Sequence, residues 1–163
     1  MDSNFWRKVK TKNKIKEDYI LIYNLNRSKE FDEYAEELAK RTGYKLYRFC
    51  TRLDQILRNG KSLIMPDIFD FITLVDDAKL VLTDSFHATA FSINFNTQFM
   101  IVFPEKYSTR VKSILEITNL QSRIVDDYND VSLANYEINF EEANRILKME
   151  RTRANEYFEN VLK

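Results

Sequence analysis

A chain of 163 residues with 44% hydrophobic and 13% aromatic side chains carries enough apolar surface for one packed domain and argues against disorder. Its 25 Lys+Arg balance 25 Asp+Glu, so it lacks the basic excess of a dedicated nucleic-acid binder. One cysteine excludes an intrachain disulfide and a cysteine-based zinc site, one histidine excludes a His-rich metal centre, and two glycines exclude every glycine-rich phosphate loop.

The same counts set further expectations. A single Cys50, read as an inert core residue, fits a reducing, cytoplasmic compartment. The Met1 end is polar and charged, unlike a signal peptide. No apolar run approaches the ~20 residues that a membrane span requires. No metal and no cofactor is expected. Any anion site has to be built from helix N-termini and side chains.

In chain order, residues 1–17 read as a lead-in whose Arg7, Lys8, Lys10, Lys12, Lys14 and Lys16 form a solvated basic run. Tyr19-Ile20-Leu21-Ile22-Tyr23 is almost wholly apolar, as expected of a buried parallel strand. Asn24 to Arg27 form a loop. Phe31, Tyr34, Ala35, Leu38 and Ala39 then make one apolar helical face, with Ser28 as N-cap and Gly43 as the stop. A second strand is expected over 45–49, and Asn59-Gly60 marks a turn. Phe69, Ile72 and Val75 predict a short helix begun near Asp67.

The third strand, 79–83, ends in Thr83 and runs straight into a helix over Ser85 to about Asn94. A fourth strand is expected over 98–103, stopped by Pro104. Val111, Ile114 and Leu115 predict another helix, Ser122 to Val125 a short edge strand, and Asn139 with Glu142 the start of a long final helix over 139–163. Strands alternating with helices predict an α/β, Rossmann-like three-layer domain with a parallel sheet, occupying 1–163 as one unit.

The junction Thr83-Asp84-Ser85-Phe86-His87-Ala88-Thr89 holds the only histidine. Strand C-termini in open parallel sheets are the usual ligand edge, and a helix beginning there aims N–H groups at an anion. A lone histidine is nevertheless more often structural than catalytic. Ser85 fits a hydroxyl donor or a plain N-cap, and Thr89 a hydroxyl donor or a back-bonded residue. Asp84 fits an orienter of His87, a ligand of a sugar hydroxyl, or a strand-end loop residue. Arg110 can bind a carboxylate or phosphate through two parallel hydrogen bonds, or be a surface cation, with the two readings about even. Lys106 and Ser108 are weaker candidates by their position near Arg110.

The run Asp84-Ser85-Phe86-His87-Ala88-Thr89-Ala90-Phe91-Ser92 resembles the signature of the polysaccharide pyruvyl transferase family, with Ala88 where many members have Gly. Asp67 to Ala78, Phe103-Pro104, Ser108-Thr109-Arg110, Leu120 to Arg123 and the final helix are similar in order to family segments. The resemblance implies the C-terminal half of a two-domain fold like that of B-type glycosyltransferases, the chain being an excised domain, the product of a truncated gene, or one whose N-terminal half is supplied separately. It implies transfer of a pyruvyl group from phosphoenolpyruvate to a pair of sugar hydroxyls as a ketal, in polysaccharide or cell-surface glycan synthesis. The acceptor would be a sugar or lipid-linked oligosaccharide. His87 would be the acid or a phosphate ligand, and Ser85, Thr89, Arg110, Asp84 and Ser108 would bind substrate. The chain alone would be inactive or weakly active. The alternatives are a non-catalytic sugar- or nucleotide-binding half-domain working with a partner chain, and a generic regulatory domain.

Overall fold

A computed structural model describes residues 2–26, 28–102 and 109–162. Five strands form one sheet, β1 (Tyr19–Tyr23), β2 (Lys45–Cys50), β3 (Lys61–Ile64), β4 (Leu80–Thr83) and β5 (Phe99–Ile101). Their order is β3-β2-β1-β4-β5 and every pairing is parallel. Six helices accompany them: α1 (Ser3–Arg7), α2 (Lys29–Thr42), α3 (Ile68–Asp76), α4 (Phe86–Phe95), α5 (Thr109–Thr118) and α6 (Glu141–Val161).

Alternation along β1 sends its side chains to both faces, which is why the run is apolar throughout. Ile20 and Ile22 join Phe31, Tyr34, Ala35 and Leu38 of α2, together with Leu82 and Met100. Tyr19 and Leu21 join the opposite layer, with Phe71, Ile72 and Val75 of α3, Ile93 of α4 and Leu115 of α5. Helices therefore cover both faces of the sheet, giving the three-layer α/β architecture.

The helix ends follow the sequence. Ser28 accepts from Phe31 N at 3.1 Å, Asp67 accepts from Phe69 N and Asp70 N at 2.8 Å, and Gly43 closes α2 in the left-handed region at φ 74°. The start of α6 departs by one residue: Phe140 is its N-cap and makes no side-chain cap bond, while Asn139 Oδ1 accepts from Glu141 N at 2.9 Å just before it. Glu142 turns to Arg145 instead of back to the cap. Cys50 is buried, as expected.

Four features depart from the expected pattern. Strand β3 is additional: it lies at the sheet edge, where Lys61 and Ser62 are tolerated in a strand. The stretch 122–125 is not a strand. A 3-10 turn (Gln121–Arg123) precedes a single parallel bridge, Ile101 to Ile124, because the Arg123 side chain is drawn inward to the Phe99 carbonyl at 3.1 Å and the Tyr136 carbonyl at 2.9 Å. The described part of the fourth expected strand is only Phe99–Ile101; Phe103 and Pro104 lie outside the described residues.

The basic lead-in is not merely solvated. Arg7 pairs with Asp76 at 2.9 Å, Lys10 bridges Asp76 and Asp77, and Thr11 N donates to Thr73 Oγ1 at 2.9 Å. Trp6 lies edge-on against Phe91, 5.1 Å between ring centres. These contacts bind the segment across α3 and α4, whereas Lys8, Lys12, Lys14 and Lys16 are exposed as expected.

Candidate functional site

The strand order reverses between β1 and β4. The chain leaves β1 for α2 on one face of the sheet and leaves β4 for α4 on the other, which makes this the switch point at which open parallel sheets take their ligands in a crevice. The loops that flank it are Asn24–Asn26 after β1 and Asp84–His87 after β4.

Thr83 and Asp84 join the two walls. Thr83 Oγ1 donates to the Tyr23 carbonyl at 2.5 Å and accepts from Ser85 N at 2.9 Å. The nearly buried Asp84 carboxylate accepts from Leu25 N at 2.7 Å and from both Asn26 N and Asn26 Nδ2 at 2.9 Å. Among the described residues nothing links Asp84 to His87. Of the readings open to Asp84, the structure realises the strand-end one, in which it holds a loop.

Ser85 stands at the N-cap position of α4, yet its side chain caps nothing. Its Oγ is buried and, among the described residues, lacks a hydrogen-bond partner. An orphaned buried hydroxyl costs roughly 1–3 kcal/mol unless something satisfies it. Among the described residues the first-turn N–H groups of α4 are likewise without a side-chain acceptor, which leaves a positive helix end open to an anion. Thr89 is fully buried and its Oγ1 donates to the Ser85 carbonyl at 2.8 Å, the geometry of a back-bonded residue.

His87 is the second residue of α4 and is exposed. Phe86 stands beside it, edge-on at 5.7 Å between ring centres. The Arg110 guanidinium lies over the other ring, 5.5 Å from the Phe86 centroid. The sequence places these residues 23 positions apart; the fold brings the cation and the imidazole to one aromatic ring. Arg110 is also in the first turn of α5, where a cation opposes the helix dipole unless an anion is near. Ser108 and Lys106 lie outside the described residues.

The opposite wall was not foreseen in the sequence. Asn24 Oδ1 accepts from Arg48 Nη1 at 2.6 Å, and the Asn24 carbonyl accepts from Gln55 Nε2 at 2.8 Å. The Leu25 carbonyl accepts from Arg52 Nη1 at 2.7 Å. Arg48 is fully buried and also donates to Asp32 at 2.6 Å and to the Asn59 carbonyl at 3.0 Å. Burial pushes the Arg48 guanidinium down, an effect that the adjoining Asp32 carboxylate opposes. Asp32 also receives Arg58 at 2.7 Å. A separate cavity, lined by Asn13, Ile15, Leu63, Asp70 and Leu74, lies by the edge strand and α3, not at this crevice.

Comparison with known proteins adds two findings. A family model for polysaccharide pyruvyl transferase matches residues 2–107. Among solved structures, one from Listeria monocytogenes assigned as a UDP-N-acetylglucosamine 2-epimerase is similar at a TM-score of 0.55 and 14% identity. The alignment covers 94% of this chain and 52% of that one, so the chain spans about half the length of that structure, and the likeness is one of fold. The curated proteins give no match.

Proposed function

This chain belongs to the polysaccharide pyruvyl transferase family, and on that premise we propose that its β1–β4 crevice binds phosphoenolpyruvate and passes the pyruvyl group to two hydroxyls of a sugar. One observation carries the reading: the uncapped start of α4 with the orphaned Ser85 hydroxyl, facing a site to which Phe86 brings both His87 and Arg110. The helix end and Arg110 suit the phosphate and carboxylate of the donor.

In the reaction the donor's methylene carbon takes a proton and the neighbouring carbon becomes electrophilic. One sugar hydroxyl adds there, its proton passes to the phosphate, and the C–O bond breaks so that hydrogen phosphate leaves. The second hydroxyl closes the ketal, its proton replacing the one consumed. His87, the exposed titratable group at the helix start, is the proposed proton source. Complete transfer is proposed to need a second half facing this crevice, because holding donor against acceptor takes two walls. The activity is proposed to operate in a cytoplasmic, reducing setting, on a sugar or lipid-linked oligosaccharide, with no cofactor. Among the described residues no helix is long and apolar enough to cross a membrane.

A second reading shares the anion site. A nucleotide-sugar diphosphate would suit the same helix end, and the fold neighbour's name contains such a sugar nucleotide. NMR of the single imidazole separates the two. Phosphoenolpyruvate is expected to shift the His87 resonances, and UDP-N-acetylglucosamine is expected not to compete. In the complete enzyme, His87→Gln should lose most of the maximal rate while the chain stays folded. An imidazole indifferent to millimolar phosphoenolpyruvate would refute the proposal. Competition by UDP-N-acetylglucosamine would favour the binding-module reading.

A further inference from the structure

We propose that Asn26 reads the acceptor: its side-chain carbonyl oxygen takes a hydrogen bond from a hydroxyl of a neutral sugar, and Asp84 is the residue that positions it. This rests on the reading of the α4 end as the donor site.

The orientation of the Asn26 amide follows from chemistry. The Asp84 carboxylate oxygens accept from three N–H donors here, and the one that faces the Asn26 side chain takes its amide nitrogen at 2.9 Å. Oδ1 is therefore directed away from the carboxylate. Among the described residues no donor reaches it: the main donors of the loop and its braces are engaged elsewhere, and the buried Arg52 Nη2, which has no partner among them, does not reach it either. Leu25 N and Asn26 N go to Asp84, Asn24 Nδ2 to the Asn26 carbonyl at 2.7 Å, Arg52 Nη1 to the Leu25 carbonyl, and Gln55 Nε2 to the Asn24 carbonyl. Asn26 is half-buried and lies on a loop whose conformation is fixed from β2, β4 and the turn after β2. A side chain held this firmly in a ligand crevice is preorganised for recognition.

What it can recognise is narrow. The wall across the crevice offers N–H groups, an imidazole and a guanidinium, all suited to anions. Phosphoenolpyruvate, fully ionised, carries only acceptors and has nothing to donate to a carbonyl oxygen. Oδ1 is complementary to the other substrate, whose hydroxyls are donors.

The test uses the 15N-labelled chain and three probes: the methyl glycosides of glucose, galactose and mannose, each with and without phosphoenolpyruvate. At least one glycoside is expected to shift the Asn26 side-chain amide signals. Asn26→Ala should weaken that glycoside about tenfold, the worth of one good hydrogen bond, and leave the phosphoenolpyruvate response of His87 unchanged. Asp84→Asn can offer its own amide to Asn26 Oδ1, so it too should weaken the glycoside while sparing the His87 response. No glycoside response at Asn26, or a glycoside affinity unchanged in Asn26→Ala, would overturn the proposal. So would a loss confined to phosphoenolpyruvate. Loss of both responses in Asp84→Asn would reduce Asp84 to a fold residue. The wild-type His87 response to phosphoenolpyruvate is read in the same samples, so failure of the donor site is seen separately from failure at Asn26.

Discussion

Arg110 and Arg48 show how differently one residue type is used. Arg110 is exposed and lies on Phe86, free to turn its fork toward an anion at α4. Arg110→Lys keeps the charge and loses the two-point contact and most of the stacking, so phosphoenolpyruvate affinity should fall by about tenfold in a titration of His87. Phe86→Leu removes only the ring, worth about 0.5–1 kcal/mol at an exposed site, and should fall by a few-fold at most. Equal losses, or none, would detach Arg110 from the site. Arg48 is fully buried and its contacts are structural. Arg48→Leu would strand Asn24 Oδ1 and reduce the pairing of Asp32, at a cost of about 3–5 kcal/mol in urea unfolding. His87 and Arg110 were legible because residue type and place beside strand ends carry local signal. Arg48 was not, since a cation in Lys45-Leu46-Tyr47-Arg48-Phe49 looks like an outward-facing strand residue. Its burial depends on Asn24 and Asp32, and that pairing exists only after folding. Asn26 and Asn24 were equally silent: a pair of asparagines in a loop reads as turn chemistry.

Elements were legible in proportion to how much of their own stability is local. Helix α2 announced its cap, its apolar face and its glycine stop, and all three hold. Strands β1 and β4 showed as apolar runs because both faces are covered. The missed β3 is the opposite case: four residues, two of them polar, made a strand by pairing with Tyr47 to Cys50. The two glycines give this contrast a measurable form. Gly43, at φ 74°, has nothing within 4 Å of where a Cβ would stand, so Gly43→Ala suffers only the left-handed backbone penalty, about 1 kcal/mol. Gly60, at φ 96°, would place its Cβ 3.1 Å from Leu46 Cβ and 3.3 Å from the Leu46 carbonyl oxygen. Gly60→Ala therefore adds overlap with β2 to the same strain and should cost about 3 kcal/mol. Denaturant midpoints should rank wild type, Gly43→Ala, Gly60→Ala in falling order. A reversed order would mean that the turn before β3 is not held against β2 as described.

At the scale of the whole molecule, the parallel sheet with its central reversal places the crevice, while residues far outside the crevice tie the rest together. The lead-in was expected to be solvated, and a run of Arg and Lys gives no hint of its partners. These are Asp76 and Asp77 at the end of α3, more than 60 residues away. Burial alone would raise the Asp76 carboxyl. The hydrogen bonds from Arg7 and Lys10, with their charges, outweigh that and hold it below its ordinary value. A carboxyl depressed in the folded state contributes stability above its unfolded pKa, about 3.9, and loses that contribution as pH falls through the lower folded value. Acid should therefore release the lead-in from α3 below about pH 4. Trp6, the sole tryptophan, reports the event because it packs on Phe91 of α4. Its emission should shift to the red as the segment detaches, ahead of any loss of far-ultraviolet dichroism from the sheet and its helices. Asp76→Asn should show the shifted emission already at neutral pH, since the amide removes the charge that Arg7 and Lys10 share. Emission that stays constant until the dichroism collapses, together with a neutral-pH spectrum of Asp76→Asn equal to wild type, would mean that the aromatic contacts hold the lead-in without the ion pairs.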